Sequence, residues 1–320
     1  AKQLLRRIAP HVDVKVILPN GRELGPDKPN LPTMHIVNEN FFNRLGSDLK
    51  IGLGESFMAK EWEATPDLAD VLTPYAEKLL NIVPSWMRKF RKLFEPFQPK
   101  HEENDLKGSR SNISRHYDLS NDLFQLFLDE TMMYSSANFA GEKPIWDNFA
   151  KAQIRKIEGI LDFAGVKPGM HILEIGTGWG QLAMQAAYRG AKVHSITLSK
   201  EQKALADQRI AKAGLANLIN VEIRDYRDLK EQYDAVVSVE MIEAVGEKYW
   251  PTYFDAISKH LKSGGRFGLQ AITMPHDRML ASKHAYTWIH KYIFPGGIIP
   301  SREVIDQYTK RDMKLEIGRA

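Results

Sequence analysis

The chain has 320 residues, 43% hydrophobic and 26% charged, with a net charge of +4 at pH 7. That length allows two domains with cores of their own, and the modest positive balance admits an anionic partner, either a lipid surface or a nucleic acid. Cysteine is absent, which excludes disulfides, thiolate metal sites and a cysteine nucleophile. No signal-peptide pattern opens the sequence, and no apolar run reaches the ~18–20 residues a bilayer span needs, so a cytoplasmic location is expected. Residues 1–80 read as a small α+β unit: 14–18 alternate as a strand, Asn20-Gly21 supplies a turn, and 34–37 form a second strand. Residues 49–57 are expected to bend at Gly52 and Gly54 on the way into a helix, and 67–80 have helical spacing.

Residues 82–101 differ in composition, with Trp86, Phe90 and Phe94 interleaved among Arg88, Lys89, Arg91 and Lys92. Two readings stay open: a helix lying on an anionic bilayer, or an inter-domain helix with its aromatics toward a core. A polar linker follows at 100–105. From about 145, strand candidates at 171–175, 191–197, 219–223, 233–239 and 265–272 alternate with helices. Such alternation implies a parallel sheet covered on both faces, with ligands at the carboxyl ends of its strands. No closing antiparallel pair is visible. Residues 313–320 are read as the start of a further strand, with a C-terminal segment expected beyond them.

Three strand ends carry polar groups where a cofactor would lie. The first is Glu174-Ile175-Gly176-Thr177-Gly178-Trp179-Gly180, where glycine permits positive φ and close backbone approach. The second, Thr197-Leu198-Ser199 with Gln202, lacks the acid that a dinucleotide dehydrogenase places there for ribose. Gln202 is the candidate instead, and Ser199 with Gln202 also fits a capping box; the two roles are compatible. The third is Asp225, either an acceptor for an adenine amino group or a loop cap. The three together favour S-adenosylmethionine over NAD, with Glu174 facing the cofactor's amino group or bracing the turn.

At this point the chain resembles the cyclopropane fatty acid synthases and mycolic acid cyclopropane synthases. The resemblance runs over nearly the whole length. It rests on Gly52-Leu53-Gly54-Glu55, on His116-Tyr117-Asp118-Leu119-Ser120-Asn121-Asp122-Leu123-Phe124, on Met133-Tyr134-Ser135, and on 173–180. Thr197-Leu198-Ser199 with Gln202, Glu243-Ala244-Val245-Gly246, and Lys291-Tyr292-Ile293-Phe294-Pro295-Gly296-Gly297 complete it. It implies an α/β fold: a Rossmann-like class I methyltransferase domain over 101–320, with a smaller N-terminal α+β lipid-binding domain over 1–100. It also implies cofactor contacts from Tyr134, Ser135, Gly176, Gln202 and Asp225, with Glu174, Gly178, Gly180 and Thr197 in the same site.

The implied reaction methylates the cis double bond of a phospholipid acyl chain in an anionic membrane surface and closes a cyclopropane ring by loss of a proton. An alkene is a poor nucleophile, so alignment in a dry pocket carries the catalysis. Aromatic faces suit the transient cation, and Tyr117, Tyr134, Phe139 and Trp250 are the candidates, each with core packing as its plainer role.

The family holds bicarbonate as proton acceptor, and here the chain departs from its pattern. Glu243 and Ile272 match. Ser136 stands at the family's Cys position, Gln270 at its His position and Ala244 at the His after the Glu, and the family's late Tyr falls beyond residue 320. Ser and Gln can still bind an anion, but Gln270 cannot carry positive charge. A cyclopropane is the expected product. The alternative is a methylene branch, which a partner reductase would convert to a methyl branch as in tuberculostearate-type lipids. A homodimer is allowed, and no nucleic-acid partner is expected.

Glu240, three residues from Glu243, reads as a solvent-facing helical residue. His276, His284 and His290 are too irregularly spaced for a metal site, and 275–300 reads as an insertion over the acyl pocket. Two rival classes remain: an RNA or small-metabolite methyltransferase would carry an acceptor motif such as Asn-Pro-Pro-Tyr, which is absent, and a lipid carrier would not need the cofactor turn.

Overall fold

The computed structural model describes residues 1–82 and 121–310. Tyr117, nearly all of the basic–aromatic stretch 82–101 and the terminal 313–320 lie outside the described residues. Two compact units are found: one lies within Ala1–Gln98 and takes up His284–Tyr292 as well, the other lies within Pro99–Lys283 and Ile293–Ala320.

The first unit is a four-stranded sheet in the order β2-β1-β3-β4. The alternating segment near residue 16 gives β1 (Lys15–Ile17), which returns through the Asn20-Gly21 turn into the antiparallel β2 (Glu23–Leu24). Gly21 takes the positive φ, +77°, that this turn requires. β3 (Thr33–Ile36) pairs parallel to β1, and β4 (Trp62–Thr65) antiparallel to β3. Helices α1 (Lys2–Ile8), α2 (Asn40–Ser47), α3 (Leu49–Met58) and α4 (Leu68–Ile82) accompany the sheet. Its inward residues Val14, Val16, Leu18, Met34, Ile36 and Trp62 share one core with Phe41 and Val71.

The bend expected near Gly52 and Gly54 does not occur. Asp48 caps α3 by accepting from the N–H groups of Lys50 and Ile51, at 2.8 and 3.1 Å, and the helix runs through both glycines. They are needed for closeness instead. A Cβ on Gly52 would collide with the Arg44 carbonyl, and one on Gly54 would lie 2.5 Å from the Trp288 ring. The helix forgoes about 1 kcal/mol of propensity at each glycine and gains contact that any side chain would block. The next residue, Glu55, accepts from Lys291 Nζ and, at 2.7 Å, from the Tyr292 hydroxyl. Two segments of the sequence motif set, 52–55 and 291–297, thus meet at their facing ends. Residues 284–292, expected within a pocket-covering insertion, pack into this first unit.

The second unit carries a five-stranded, wholly parallel sheet in the order β7-β6-β5-β8-β9. Its strands are β5 (His171–Ile175), β6 (Lys192–Thr197), β7 (Ile219–Ile223), β8 (Tyr233–Val239) and β9 (Leu261–Gln270). The helices that matter below are α5 (Asn121–Gln125), α6 (Trp146–Phe163), α7 (Gln181–Tyr188), α8 (Lys200–Lys212), α9 (Ile242–Val245) and α10 (Trp250–His260). Burial on both faces explains the apolar runs of the central strands β5 and β8. Ile172, Val193, Ala235 and Val237 pack against α6, α7 and α8. Leu173, Ile175, Ile196 and Val236 pack with Trp250, Tyr253, Phe254 and Ile257 of α10. Strand order reverses between β5 and β8, and the crevice outside the carboxyl ends at such a switch point is where ligands bind in sheets of this kind.

Candidate active site

All five strand ends place a candidate residue at the crevice. After β5, Gly176, Gly178 and Gly180 take φ of +96°, +52° and +87°, a region closed to most side chains. They do different work. A Cβ on Gly176 would lie 2.6 Å from the Met241 side chain and one on Gly180 3.3 Å from Ala206, whereas one on Gly178 would meet nothing within 4 Å among the described residues. Two glycines let neighbours close in, and the third keeps a space open.

Glu174 is only 3% exposed. Its carboxyl accepts from Ser195 Oγ, which also lies 2.7 Å from Thr177 Oγ1. Burial pushes this carboxyl up to about 8, against the lowering effect of the Ser195 bond. Because the folded state holds the proton more tightly than the unfolded one, stability of the ligand-free protein should fall as pH rises from about 4.5 toward 8. Thermal melting of Glu174→Gln across that range should show a flatter profile than the parent; an equally steep one would mean that Glu174 is not the group responsible.

At the end of β6, Ser199 caps α8 by accepting the Gln202 N–H at 3.1 Å. The reciprocal half of the expected capping box is relayed. The Ser199 N–H donates to Thr197 Oγ1 at 3.1 Å, and that hydroxyl donates to Gln202 Oε1 at 2.9 Å. Among the described residues the Gln202 side chain is engaged through its carbonyl, which leaves its amide hydrogens as donors. After β7, Asp225 is held more firmly than expected. It accepts from the Arg227 N–H at 2.9 Å and from the Arg227 guanidinium at 2.8 and 2.6 Å, capping the turn Tyr226–Asp228. The cap reading is realised, and any adenine contact must share a carboxylate already paired with Arg227.

The segment before α6 is fastened to the glycine turn. Trp179 Nε1 donates to Asn121 Oδ1 at 2.8 Å, and Phe124 packs on Trp179 and Tyr134 at centroid distances of 4.9 and 5.4 Å. Arg209 of α8 donates to the carbonyls of both Thr131 and Trp179, at 3.1 and 2.9 Å. Tyr134 and the described end of the 116–124 motif therefore stand beside the turn that follows β5.

A second cluster lies at the ends of β8 and β9, and its centre is Glu240. This residue is not on a helix with Glu243: it follows β8 directly with φ +49° and precedes α9. The solvent-facing reading is corrected. Glu240 Oε1 accepts from Ser136 N and Ser136 Oγ, both at 3.0 Å, and from Gln270 Nε2 at 2.9 Å. Gln270 Nε2 also lies 3.2 Å from Ser136 Oγ. Glu243 accepts the Ile272 N–H at 2.5 Å through Oε1, while its Oε2 is buried with no partner among the described residues. Burial pushes Glu243 up to about 7, with Glu240's charge adding to the rise. A bulky residue at positive φ marks stored strain of about 1–3 kcal/mol, and such strain clusters at functional sites. Sequence reading gathered Ser136, Glu243, Gln270 and Ile272 but missed the carboxylate to which Ser136 and Gln270 donate; its position at a strand's carboxyl end was the available signal. Of the aromatic candidates, Trp250 is a core residue, 1% exposed with its Nε1 on the Ile242 carbonyl, and Phe139 stacks on Phe149.

A profile of the family described as mycolic acid cyclopropane synthetase matches residues 104–320. The chain belongs to this family. Among its relatives is the tuberculostearic acid methyltransferase UfaA1 of Mycobacterium tuberculosis, 47% identical over 325 residues, covering 99% of this chain and 75% of that protein. The cyclopropane-fatty-acyl-phospholipid synthase of Escherichia coli is 34% identical over 297 residues, covering 88% and 71%. Among solved structures, the cyclopropane synthase MmaA2 of Mycobacterium tuberculosis aligns with a TM-score of 0.58 at 30% identity, covering 65% of this chain and 76% of that one. Mycolic acid cyclopropane synthase CmaA1 complexed with SAH and CTAB gives 0.56 at 28%, covering 67% and 75%.

This mycolic acid cyclopropane synthetase family member is a class I methyltransferase in fold and uses S-adenosylmethionine. The residues present suit that cofactor. Gly178 leaves room against the turn, Glu174 is a buried carboxyl whose ionisation a nearby cation would favour, and Gln202 has donors to spare. No helix among the described residues is long and apolar enough to cross a membrane.

Proposed function

We propose that this enzyme methylates the cis double bond of an unsaturated phospholipid acyl chain and releases a methylene-branched chain, with Glu240 as proton acceptor. The observation that carries this reading is the cradle of Ser136 and Gln270. Those donors occupy the positions where the family resemblance expects bicarbonate to be held, and here they bind a carboxylate of the chain itself. The cyclopropane product expected from the resemblance yields to its alternative on this ground, and the 47% identity to a protein named as a tuberculostearic acid methyltransferase supports the same choice.

S-adenosylmethionine supplies the methyl group: the S–C bond breaks with its pair kept on sulfur, and the alkene π pair forms the new C–C bond. A 1,2-hydride shift moves the positive charge to the methyl-bearing carbon. A proton of the new methyl then passes to Glu240, and its C–H pair becomes the C=CH2 double bond of the methylene branch. Three donors on Oε1 draw charge from the carboxylate, which restrains it from bonding to the cation, and Oε2 remains to take the proton. Glu243, pushed up to about 7 by burial, is protonated below that pH and there keeps a second negative charge away from that step.

In this reading the N-terminal unit binds the lipid at an anionic membrane surface, and reduction to a methyl branch falls to a separate reductase. The test is product analysis after incubation with S-adenosylmethionine and oleoyl phospholipid vesicles, using gas chromatography with mass spectrometry and proton NMR of the released acids. Vinylidene protons are expected; cyclopropane protons instead would overturn the product assignment.

A further inference from the structure

Helix α6 turns an apolar stripe of Ile157, Ile160 and Leu161 toward the sheet. The same stripe contains Gln153, 0% exposed, and Lys156, 3% exposed. Burying an ammonium costs several kcal/mol unless partners repay it, so its placement calls for a reason. Lys156 Nζ donates to Ser135 Oγ. Gln153 Nε2 donates to the carbonyls of Met133 and Ser135, at 3.2 and 2.9 Å. The next residue, Ser136, is the one whose N–H and hydroxyl both reach Glu240. Helix α6, Ser135, Ser136 and Glu240 therefore form one continuous chain of hydrogen bonds and peptide.

We infer that Lys156 is a positioning residue for the proton-accepting carboxylate: it fixes the Ser135–Ser136 segment against Glu240 and supplies the positive charge that Gln270 does not bring. This rests on the reading of Glu240 as the acceptor. An ammonium has only donors, so Ser135 Oγ must accept from it, which fixes the rotation of that hydroxyl. The charged groups facing Lys156 are Glu240 at the end of β8 and Asp129 in the segment after α5. Both favour the ammonium, while burial opposes it more strongly and brings Lys156 down to about 8. Asp129 already accepts from Thr131 Oγ1 at 2.7 Å, and its other carboxylate oxygen is buried without a partner among the described residues. The ammonium persists at neutral pH and is lost as pH rises through about 8, so proton removal should fail on the alkaline side.

The experiment measures kcat and KM of the full chain on oleoyl phospholipid vesicles between pH 6 and 9.5, for the parent, Lys156→Met and Glu240→Gln. The parent should lose activity with an alkaline limb near pH 8. Lys156→Met should show kcat lowered by about 10- to 100-fold, a smaller change in KM for S-adenosylmethionine, and no alkaline limb. A limb near pH 8 that survives in Lys156→Met, or a kcat within twofold of the parent, would sink the inference. If Glu240→Gln stays active, the acceptor assignment itself has failed; if Glu240→Gln is inactive and Lys156→Met keeps its limb, only the role of Lys156 falls. Should Lys156→Met not fold, NMR titration of the lysine side chains in the parent and Glu240→Gln decides. The Lys156 pKa should move down when the facing charge is removed, and an unmoved pKa would count against it.

Discussion

Glu240→Gln should abolish most turnover while leaving cofactor binding intact. The amide keeps the size of the carboxylate and can still accept from Ser136 and Gln270, but it has no useful affinity for a proton. Loss of a positioned proton acceptor lowers kcat by about 10²- to 10⁴-fold. S-adenosylhomocysteine affinity by calorimetry should be unchanged, because the glycine turn, Thr197 and Gln202 are untouched. A variant retaining more than about a tenth of the parent kcat would contradict the assignment, since general-base contributions are seldom that small.

Glu240→Gly sharpens the same experiment. It removes a side chain held at φ +49°, so it should raise the midpoint of urea unfolding by an amount equivalent to about 1 kcal/mol even as activity falls. It also empties the cradle while leaving the Ser136 and Gln270 donors in place. Added bicarbonate should then restore part of the turnover, which it should not do in Glu240→Gln.

Gly178→Val should cost the enzyme its cofactor. A Cβ there meets no atom of the described residues within 4 Å, so a side chain would project into the space the turn keeps open. A β-branched residue at φ +52° is also strained, which a drop in melting temperature will report separately. Affinity for S-adenosylhomocysteine should weaken by about 100-fold or more, equivalent to about 2.8 kcal/mol. Gly178→Ala, with less bulk and less strain, should fall between. Unchanged affinity in Gly178→Val would place the cofactor elsewhere.

The alternating half of the fold was open to sequence reading because strands buried on both faces are written as short apolar runs, and those runs end at the residues that matter. Glu174, Thr197, Asp225 and Gln270 each lie at or just beyond a strand end, so locating the strands located them. What eluded that reading depends on contacts between distant segments. Gly52 and Gly54 look like helix breakers until Arg44 and Trp288 are seen to occupy the space that side chains would need. Glu240 looks like a surface carboxylate because nothing nearby in sequence says that Ser136 and Gln270 will donate to it. Lys156 was hidden for another reason: a lysine within a helix is so ordinary on a solvated face that only its phase, shared with Ile157 and Ile160, marks it as turned inward.

The placement of residues 284–292 in the first unit bears on how the chain is made. The sheet of that unit is complete by Thr65, yet Gly54 waits for Trp288, and Glu55 for Lys291 and Tyr292. On a ribosome, which releases the chain at about 5–20 residues per second, the sheet of this unit emerges ahead of residues 284–292, and the unit is finished only after more than two hundred further residues have followed. During that interval α3 carries a bare glycine surface and Glu55 lacks both partners. A unit whose sheet is synthesised before residues 284–292 thus reaches its final form only after they arrive, and a chain interrupted before residue 284 would leave it permanently open.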